Sequence, residues 1–400
     1  MKSVANAPMA TAGTRMAAMK IAIIRQRYNP YGGAERFVER ALGALAAEGA
    51  EVTLITRSWD GAPREDFRQI ICNPLSTGWL AGRAGRDKAF SSCVQQAIAV
   101  EGFDLVQSHE RVPGCSIFRA GDGVHAAWLA HRERFLPPWR RLAQRLSPYH
   151  RYVLAAEEAM FAHPALRAVI CNSHMVAEEI TQYYGVDRSK LHVIYNGVDT
   201  DDFHPRLAGL YRAAVRARLG LAETTPLLLY VGSGYERKGV PQLLRAFVQA
   251  AQSGAHLVVI GADRKLAATR RLADRLGITA NTHFLGPVKD VRPFYGAADA
   301  FVLPSLYDPC PNAALEAMAC GLPILTGQAC GAREWVVEGK NGLVVDPLSG
   351  SELAKALDEL ISLALQPAAH ALARQRVEVL DLTTMSSHLL KLYRQLSPQA

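Results

Sequence analysis

The chain has 400 residues, of which 49% are hydrophobic and 20% are charged, a composition typical of a globular protein with enough apolar side chains for two domains. No apolar run reaches the length of a membrane-spanning helix, and the seven cysteines form no C-x-x-C pair, which argues against a zinc site or a disulfide framework and for reduced cytosolic thiols. The formal charge of +8 is compatible with nucleic acid, an anionic membrane or a phosphorylated substrate.

Residues 1–19 contain no apolar segment of the length found in signal peptides, so we expect a disordered N-terminal extension. From residue 20 onwards, short apolar runs alternate with helical stretches, a pattern that predicts parallel β-α-β units and an α/β fold. The first domain, 20–195, has predicted strands at 20–24, 52–56, 105–109, 116–118, 168–171 and 192–194, and predicted helices at 36–48, 87–101 and 177–184.

Two loops of this domain carry candidate ligand contacts. Gly32 and Gly33 precede the helix at 36–48, and glycines at a helix N-terminus let a backbone approach a phosphate. Asp122 lies between two glycines after a predicted strand, at the end of a doubly wound sheet where ligands bind. A tight turn without a ligand explains each pattern equally well.

The segment 125–156 interrupts the alternation of strands and helices and is rich in arginine and aromatic residues. Trp139 lies among its basic residues, which are Arg132, Arg134, Arg140, Arg141, Arg145 and Arg151. Cationic residues among Trp and Leu are typical of a helix that lies on an anionic membrane, and they also suit an anionic acceptor. The alternative is a solvated basic helix pair that packs on its own domain. Such a composition also suits single-stranded nucleic acid, but the chain has no nucleic-acid recognition motif, so we expect no nucleic-acid partner.

The segment 196–225 is predicted to link two domains. Its Asp199 and Asp201 resemble a metal-binding D-x-D triplet, but they follow Asn-Gly and precede a proline, so we interpret them as turn and capping residues and expect no metal site. A second domain, 226–380, has predicted strands at 226–231, 257–261, 282–285, 300–303 and 343–345. The last segment, 381–400, is predicted to form an amphipathic helix that packs back toward the first domain.

The loop after the first strand of the second domain contains Gly232 and, a few residues later, Arg237 and Lys238. Lysine supplies a point charge and arginine a two-pronged donor, so the pair suits a pyrophosphate without a bound metal. A loop with a solvated basic pair is the alternative. Neither this loop nor the loop at 32–33 has the G-x-G-x-x-G spacing, which argues against a nicotinamide-dependent oxidoreductase.

The stretch 305–321 is predicted to run from a loop into a helix of small residues, with Asp308 on the loop and Glu316 on the helix. Eight residues separate the two acids, so one can face the mouth of a crevice while the other lies about two turns along the helix. Free amides at the helix N-terminus suit an anion between them. A surface Asp and a helix-capping Glu are the alternative interpretation.

Taken in order, these motifs resemble those of the retaining glycosyltransferases of family 4, whose GT-B fold has two Rossmann-like, doubly wound parallel-sheet domains facing across a cleft. The resemblance covers residues 20–396. It rests on the Gly-Gly loop, the Asn-Gly-Val-Asp linker at 196–199, the pair Arg237 and Lys238, and the spacing of Asp308 and Glu316. Within the family the pattern is most similar to the α-1,3-glucosyltransferases that act on heptose of the lipopolysaccharide inner core, because a basic aromatic insertion follows an Ala-Gly-Asp turn.

The resemblance implies a role for each matching position. Arg237 and Lys238 would neutralise the nucleotide diphosphate, Glu316 would hold the ribose, and Asp308, which replaces the usual Glu and is one methylene shorter, would grip the donor sugar. Asp122 matches an acid near the acceptor, whereas Phe37 replaces another acid of the core glucosyltransferases. The remaining donor contacts implied are Gly33, Gly232, Val288, Asn312, Ala313 and Ala314, and those for acceptor or membrane are Gly32, Arg132, Arg134, Trp139, Arg140, Arg141 and Arg145.

The implied activity is retaining transfer of a hexose, glucose in the first instance, from a UDP-sugar to a phosphorylated, lipid-linked saccharide, with no metal or other cofactor. Such an enzyme is expected in the cytoplasm, bound peripherally to the inner face of the cytoplasmic membrane. Two alternatives remain open: a family 4 transferase that uses UDP-GlcNAc or GDP-mannose on another envelope glycan, and a non-catalytic protein that binds a sugar nucleotide and docks on a membrane.

Overall fold

The strands of the first domain form a parallel sheet. The computed structural model describes residues 19–28, 43, 45, 49–59, 67–74 and 82–397. Within these residues the strands are β1 (Lys20–Ile24), β2 (Arg27–Tyr28), β3 (Glu51–Thr56), β4 (Ser58–Trp59), β5 (Arg68–Ile71), β6 (Leu105–Ser108), β7 (Ile117–Ala120), β8 (Ala168–Cys171) and β9 (Leu191–Val193). Seven of them pair in the order β5-β3-β1-β6-β7-β8-β9, and β2 pairs separately with β4.

Both faces of this sheet are buried. Alternate residues of a strand point to opposite sides, and on β1 both sets of residues lie in hydrophobic clusters. Ile21 and Ile23 of β1 belong to one hydrophobic cluster, and Ala22 and Ile24 belong to another. The described helices of this domain are α1 (Gly82–Glu101), α2 (His125–Glu133), α3 (Pro138–Leu146), α4 (Pro148–Phe161) and α5 (His174–Tyr184).

The second domain repeats this plan with its own core. Its strands are β10 (Leu227–Val231), β11 (His256–Ile260), β12 (Thr282–Gly286), β13 (Ala300–Leu303), β14 (Ile324–Gly327) and β15 (Gly342–Val345). Their order, β12-β11-β10-β13-β14-β15, is that of a Rossmann sheet. The helices after the first domain are α6 (Leu207–Arg218), α7 (Val240–Gln252), α8 (Leu266–Arg275), α9 (Arg292–Ala297), α10 (Asn312–Ala319), α11 (Gly350–Leu363), α12 (Pro367–Val377) and α13 (Leu382–Leu396).

The predicted fold class, two doubly wound parallel-sheet domains, is confirmed, and every predicted strand is present within one or two residues of its expected bounds. Four strands were missed: the two-residue strands β2 and β4, which pair with each other, and the strands β5 and β14. The edge strand β5 is half polar and therefore lacks the apolar run that marks a buried strand, and β14 has only four residues directly after a proline. The helix predicted at 36–48 lies outside the described residues except for positions 43 and 45.

The segment predicted as the linker is largely folded onto the second domain. Its helix α6 packs against α9, and the buried guanidinium of Arg216 lies 2.7 Å from the Asp299 carboxylate before β13.

The C-terminal helix α13 returns to the first domain, where Leu389 and Tyr393 join the cluster around β1. The Tyr393 hydroxyl donates a hydrogen bond to Gln107 on β6 at 2.5 Å.

The expectation that all seven cysteines are reduced is wrong for two of them. The structure joins Cys72, after β5, to Cys93 on α1 in a disulfide, with the two Cα atoms 5.7 Å apart. Twenty-one residues separate these cysteines, and only the packing of α1 beside the sheet edge brings them together. The other five cysteines are buried free thiols.

Candidate active site

Lys238 and Asp308 meet at the centre of the second sheet. Lys238 follows β10 and Asp308 follows β13, and these two strands are neighbours at the point where the strand order reverses. In open α/β sheets ligands bind beyond the carboxyl ends of the strands at this reversal. The Lys238 Nζ atom lies 3.0 Å from an Asp308 carboxylate oxygen, and both side chains are largely withdrawn from solvent. The structure thus brings together two of the predicted catalytic residues.

Backbone contacts hold the loop of Arg237 and Lys238 against the loop of Asp308. The Leu306 amide donates a hydrogen bond to the Arg237 carbonyl oxygen at 2.8 Å. Gly239 has a left-handed backbone with φ of 76°, and a Cβ atom there would overlap the Pro304 carbonyl oxygen. A Cβ at Gly232 would come within 3.0 Å of the Lys238 side chain, so that glycine leaves room for the lysine to reach Asp308.

The Arg237 guanidinium differs from the neighbouring Lys238 ammonium in its contacts. Its side chain is only partly buried, and it forms no hydrogen bond or ion pair with any residue in the described part of the chain. A partly buried arginine beside a buried ion pair keeps its donors available for an anion, and a phosphate accepts two of them in parallel.

Glu316 lies inside the second domain, about one turn into α10. The residue is 6% exposed, and its carboxylate accepts a hydrogen bond from the Tyr295 hydroxyl at 3.1 Å. That hydroxyl also lies 3.1 Å from the Ala313 carbonyl oxygen, so Tyr295 orients the carboxylate relative to the first turn of the helix. The first backbone bonds of this turn run from Ala314 and Leu315 to Pro311, which leaves the amides of Asn312 and Ala313 at the free end of the helix.

Asp122 approaches this site from the first domain. Its side chain is exposed on the turn after β7, and the next residue, Gly123, has a left-handed backbone with φ of 74°. Tyr307, directly before Asp308, contacts this turn: the Val124 amide donates a hydrogen bond to the Tyr307 hydroxyl at 2.8 Å. The turn of Asp122 and the loop of Asp308 therefore face each other across the boundary between the domains.

A series of side-chain hydrogen bonds also crosses the boundary between the two domains. Arg119 on β7 donates to the Asn196 side-chain oxygen at 2.6 Å, and the Asn196 amide donates to the Asn312 side-chain oxygen at 2.7 Å. Burial lowers the pKa of Arg119 to about 10, so it keeps its charge at neutral pH. Asn312, a predicted donor contact, is thus tied to the first domain through the linker.

The basic insertion forms the helices α2, α3 and the start of α4. Arg132 contacts the Gln144 side chain, Arg145 pairs with Glu133 at 2.9 Å, and Arg134 forms an ion pair with Asp346 of the second domain. The Arg141 side chain donates to the Leu136 carbonyl oxygen, whereas Arg140 stacks over the Trp139 ring.

One face of α3 is apolar and exposed. Trp139, Leu142 and Leu146 are 65%, 59% and 63% exposed, at positions that share one side of a helix. Among the described residues, no helix combines the length and the apolarity needed to cross a membrane.

The other predicted positions are less informative. Val288 lies after β12 and is partly buried against the core of the second domain. Asp199 accepts hydrogen bonds from the amides of Asp201 and Asp202, which agrees with a turn and capping role. No group of three His, Cys, Asp or Glu residues arranged to hold a metal ion occurs within the ranges that the structure describes. Gly32, Gly33 and Phe37 lie outside those ranges.

The sequence patterns did not point to the residues that connect the domains. Besides Tyr307, Arg119 and Asn196, these include Glu334, whose carboxylate accepts the backbone amides of His174 and Met175 at the start of α5. No local spacing marks such contacts, since each partner lies more than 70 residues away in the sequence.

Two family models match most of the chain. The model for glycosyltransferase family 4 matches residues 31–202, and the model for glycosyl transferases group 1 matches residues 212–376. Among curated relatives, the lipopolysaccharide glucosyltransferase WaaG of Escherichia coli (strain K12) is 27% identical over 86% of this chain and 90% of the relative. D-inositol 3-phosphate glycosyltransferase of Xylanimonas cellulosilytica is 29% identical over 82% of this chain and 83% of the relative.

Solved structures show the same fold. The crystal structure of WaaG, a glycosyltransferase involved in lipopolysaccharide biosynthesis, aligns with a TM-score of 0.78 and 24% identity over 95% of this chain and all of that one. Anabaena Alr3699/HepE in complex with UDP and glucose aligns with a TM-score of 0.65 and 21% identity over 94% of this chain and all of that one. The architecture is therefore the GT-B fold.

Proposed function

Because the chain belongs to the glycosyltransferases that join a family 4 domain to a group 1 domain, we propose that it is a retaining hexosyltransferase that moves glucose from UDP-glucose to heptose of a lipid-linked lipopolysaccharide core. The observation that carries the proposal is the meeting of Lys238 and Asp308 at the reversal of the second sheet, beside the N-terminus of α10.

The leaving group explains the positive charge at this site. When the bond from the sugar to the diphosphate breaks, negative charge develops on the diphosphate and positive charge on the anomeric carbon. Arg237, Lys238 and the amides at the start of α10 are oriented donors for the diphosphate, and such fixed donors stabilise developing charge without reorganising at the moment of reaction. These groups belong to the chain itself, and we propose that the reaction needs no metal.

The two acids bind opposite ends of the donor in this proposal. Glu316, held by the Tyr295 hydroxyl, binds the ribose hydroxyls, and Asp308 binds the sugar hydroxyls. The ion pair with Lys238 fixes the Asp308 carboxylate in place, so that its oxygens accept hydrogen bonds from the sugar. Val288, after β12, contacts the base.

Retention follows if the acceptor attacks from the side that the diphosphate leaves. A diphosphate oxygen then takes the acceptor proton, and the new bond forms on the face of the departing group. Asp122, exposed on the turn opposite the Asp308 loop, orients the acceptor hydroxyl or stabilises the cation.

The helix α3 suits an acceptor that is anchored in a membrane. Its exposed face of Trp139, Leu142 and Leu146 has arginines beside it, a combination that favours an anionic membrane surface. We place the enzyme at the inner face of the cytoplasmic membrane. WaaG, as a lipopolysaccharide glucosyltransferase, supports this acceptor, and the complex of the HepE structure with UDP and glucose supports this donor.

The test is an assay of the full chain with candidate sugar nucleotides and a lipopolysaccharide core acceptor that ends in heptose. We expect slow release of UDP from UDP-glucose alone, faster release with acceptor, and a product with a retained α linkage. A thermal-shift panel should select the same donor, since a ligand at a hundred times its dissociation constant stabilises a fold by about 2.7 kcal/mol.

Other outcomes would identify other functions. Selection of UDP-GlcNAc or GDP-mannose, with transfer to a different envelope glycan or to an inositol phosphate, would keep the family and overturn the donor and acceptor. The similarity to D-inositol 3-phosphate glycosyltransferases makes inositol phosphate the first alternative acceptor. Stable donor binding without turnover on any acceptor would indicate a non-catalytic protein.

A further inference from the structure

Tyr307 belongs to the loop of the second domain but is buried in the core of the first. Its side chain is 1% exposed and is a member of the hydrophobic cluster that contains Ala22 and Val124 of the first domain. No other residue of the second domain is a fully buried member of that cluster among those the structure describes. The residue directly before a proposed sugar-binding acid is therefore inserted into the opposite domain.

The ring packs against two aromatic side chains of α2. The Tyr307 ring centroid is 5.6 Å from that of His131, with the two rings stacked, and 6.1 Å from that of Trp128. Its hydroxyl accepts a hydrogen bond from the Val124 amide at 2.8 Å and donates one to the Glu179 carboxylate on α5 at 2.7 Å. Three separate elements of the first domain thus fix one side chain.

The turn of the first domain is shaped to receive this hydroxyl. A Cβ atom at Gly123 would overlap the Tyr307 hydroxyl, and that glycine has the left-handed backbone that other residues rarely adopt. Val124, whose amide binds the hydroxyl, is only two residues from Asp122. Tyr307 is adjacent to Asp308. One hydrogen bond therefore joins the backbone beside the acceptor acid to the side chain of the residue beside the donor acid.

We propose that Tyr307 is a positioning residue that sets the separation between the Asp122 turn and the Asp308 loop, and so the alignment of acceptor with donor. The inference rests on the proposed function for the roles of the two acids. Tyr307 contacts neither substrate; it acts through the turn and the loop that it connects. Alignment of two reactants contributes strongly to rate, and a small displacement of one partner is costly.

The decisive variant is Tyr307→Phe, which keeps the ring that packs against His131 and Trp128 and removes the hydroxyl. We expect the kcat of transfer to fall about tenfold or more while the KM for donor changes less than about twofold. Slow hydrolysis of the donor without acceptor should be nearly unchanged, because both donor acids stay in place. Hydrogen exchange of the Val124 amide should become faster.

Tyr393→Phe is the matched control. Tyr393 is also 1% exposed and also donates a hydroxyl hydrogen bond into the first domain, to Gln107, but it lies on α13 rather than on the donor loop. We expect this variant to lose stability without a change in the ratio of transfer to hydrolysis. Glu179→Gln keeps an oxygen that can accept from Tyr307 and should keep the wild-type ratio.

Three results would overturn the inference. The first is an unchanged ratio of transfer to hydrolysis in Tyr307→Phe despite faster exchange of the Val124 amide. The second is an equal loss of transfer and hydrolysis in that variant, and the third is the same fall in the ratio in Tyr393→Phe. If the wild-type chain transfers no sugar to any acceptor, the proposed function fails. Exchange at the Val124 amide then still reports whether the hydroxyl holds the turn, so the two failures are distinguishable.

Discussion

The Lys238 ammonium nitrogen lies 3.0 Å from an Asp308 carboxylate oxygen, in a place where both side chains have little contact with water. Removing one member of a buried ion pair leaves the other charge uncompensated, at a cost of about 3–5 kcal/mol. Lys238 and Asp308 therefore affect both folding and the proposed chemistry, and the two effects can be separated.

We predict that Lys238→Met destabilises the second domain by a few kcal/mol and that adding Asp308→Asn restores most of that loss. The double variant should remain inactive in transfer, because the cation for the diphosphate and the acid for the sugar are both gone. Denaturant unfolding and the UDP-release assay measure the two effects. Recovery of activity together with stability would show that the pair is only structural.

Arg237→Ala should lower turnover about 10²-fold with little change in stability, since its guanidinium has no partner in the described part of the chain and its proposed role is to bind the leaving diphosphate. Arg245→Ala, an exposed arginine on the following helix α7, is the matched control and should behave as the wild type. Unchanged turnover in Arg237→Ala would exclude this account of the leaving group.

Glu179 should make stability depend on pH. Burial raises the pKa of Glu179 from its ordinary value of 4.5 to about 7. Between those values the folded chain holds a proton that the unfolded chain has lost, so the free energy of unfolding decreases as pH rises through this range. At pH 8 we expect Glu179→Gln to be more stable than the wild type by about 1–3 kcal/mol, with a negligible difference near pH 4.

Chemical denaturation at several pH values between 4 and 8 tests this expectation. The exposed Glu158→Gln on α4 is the control and should follow the wild-type pH dependence. A Glu179→Gln variant whose stability ran parallel to the wild type at every pH would contradict a raised pKa at this position.

The exposed face of α3 should bind anionic vesicles. Replacing Trp139, Leu142 and Leu146 together by Ser should abolish co-sedimentation with vesicles that contain phosphatidylglycerol, and Arg140→Glu should weaken it. Because each basic residue near the surface contributes about 1 kcal/mol, wild-type binding should decrease as salt rises from about 0.05 M to about 0.5 M.

Leu210→Ser is the control for this experiment, since Leu210 is 65% exposed but lies on α6, the helix of the linker segment. It should bind vesicles like the wild type. Binding that persists at molar salt, or that the triple substitution leaves intact, would rule out this face as the membrane contact.

The order of strands and helices was accessible from the sequence because it depends on local patterns. Buried parallel strands are short apolar runs, and the Arg237, Lys238 and Asp308 loops follow directly from the strands before them. Once two such strands are neighbours, residues after them must converge, and this is why motifs 70 residues apart could be assigned to one site.

The contacts between the domains were not accessible in this way. These contacts join atoms that no periodicity or spacing in the sequence connects. The residues that make them are Tyr307, Glu334, Arg119, Asn196 and Asn312. The disulfide of Cys72 and Cys93 has the same origin, since it depends on where α1 packs. Sequence alone determined most of the strands, the fold of two α/β domains and the chemical types at the candidate site, because these are set by neighbouring residues. Only the tertiary structure decided which atoms of one domain hold the other, because packing of distant surfaces depends on the whole fold.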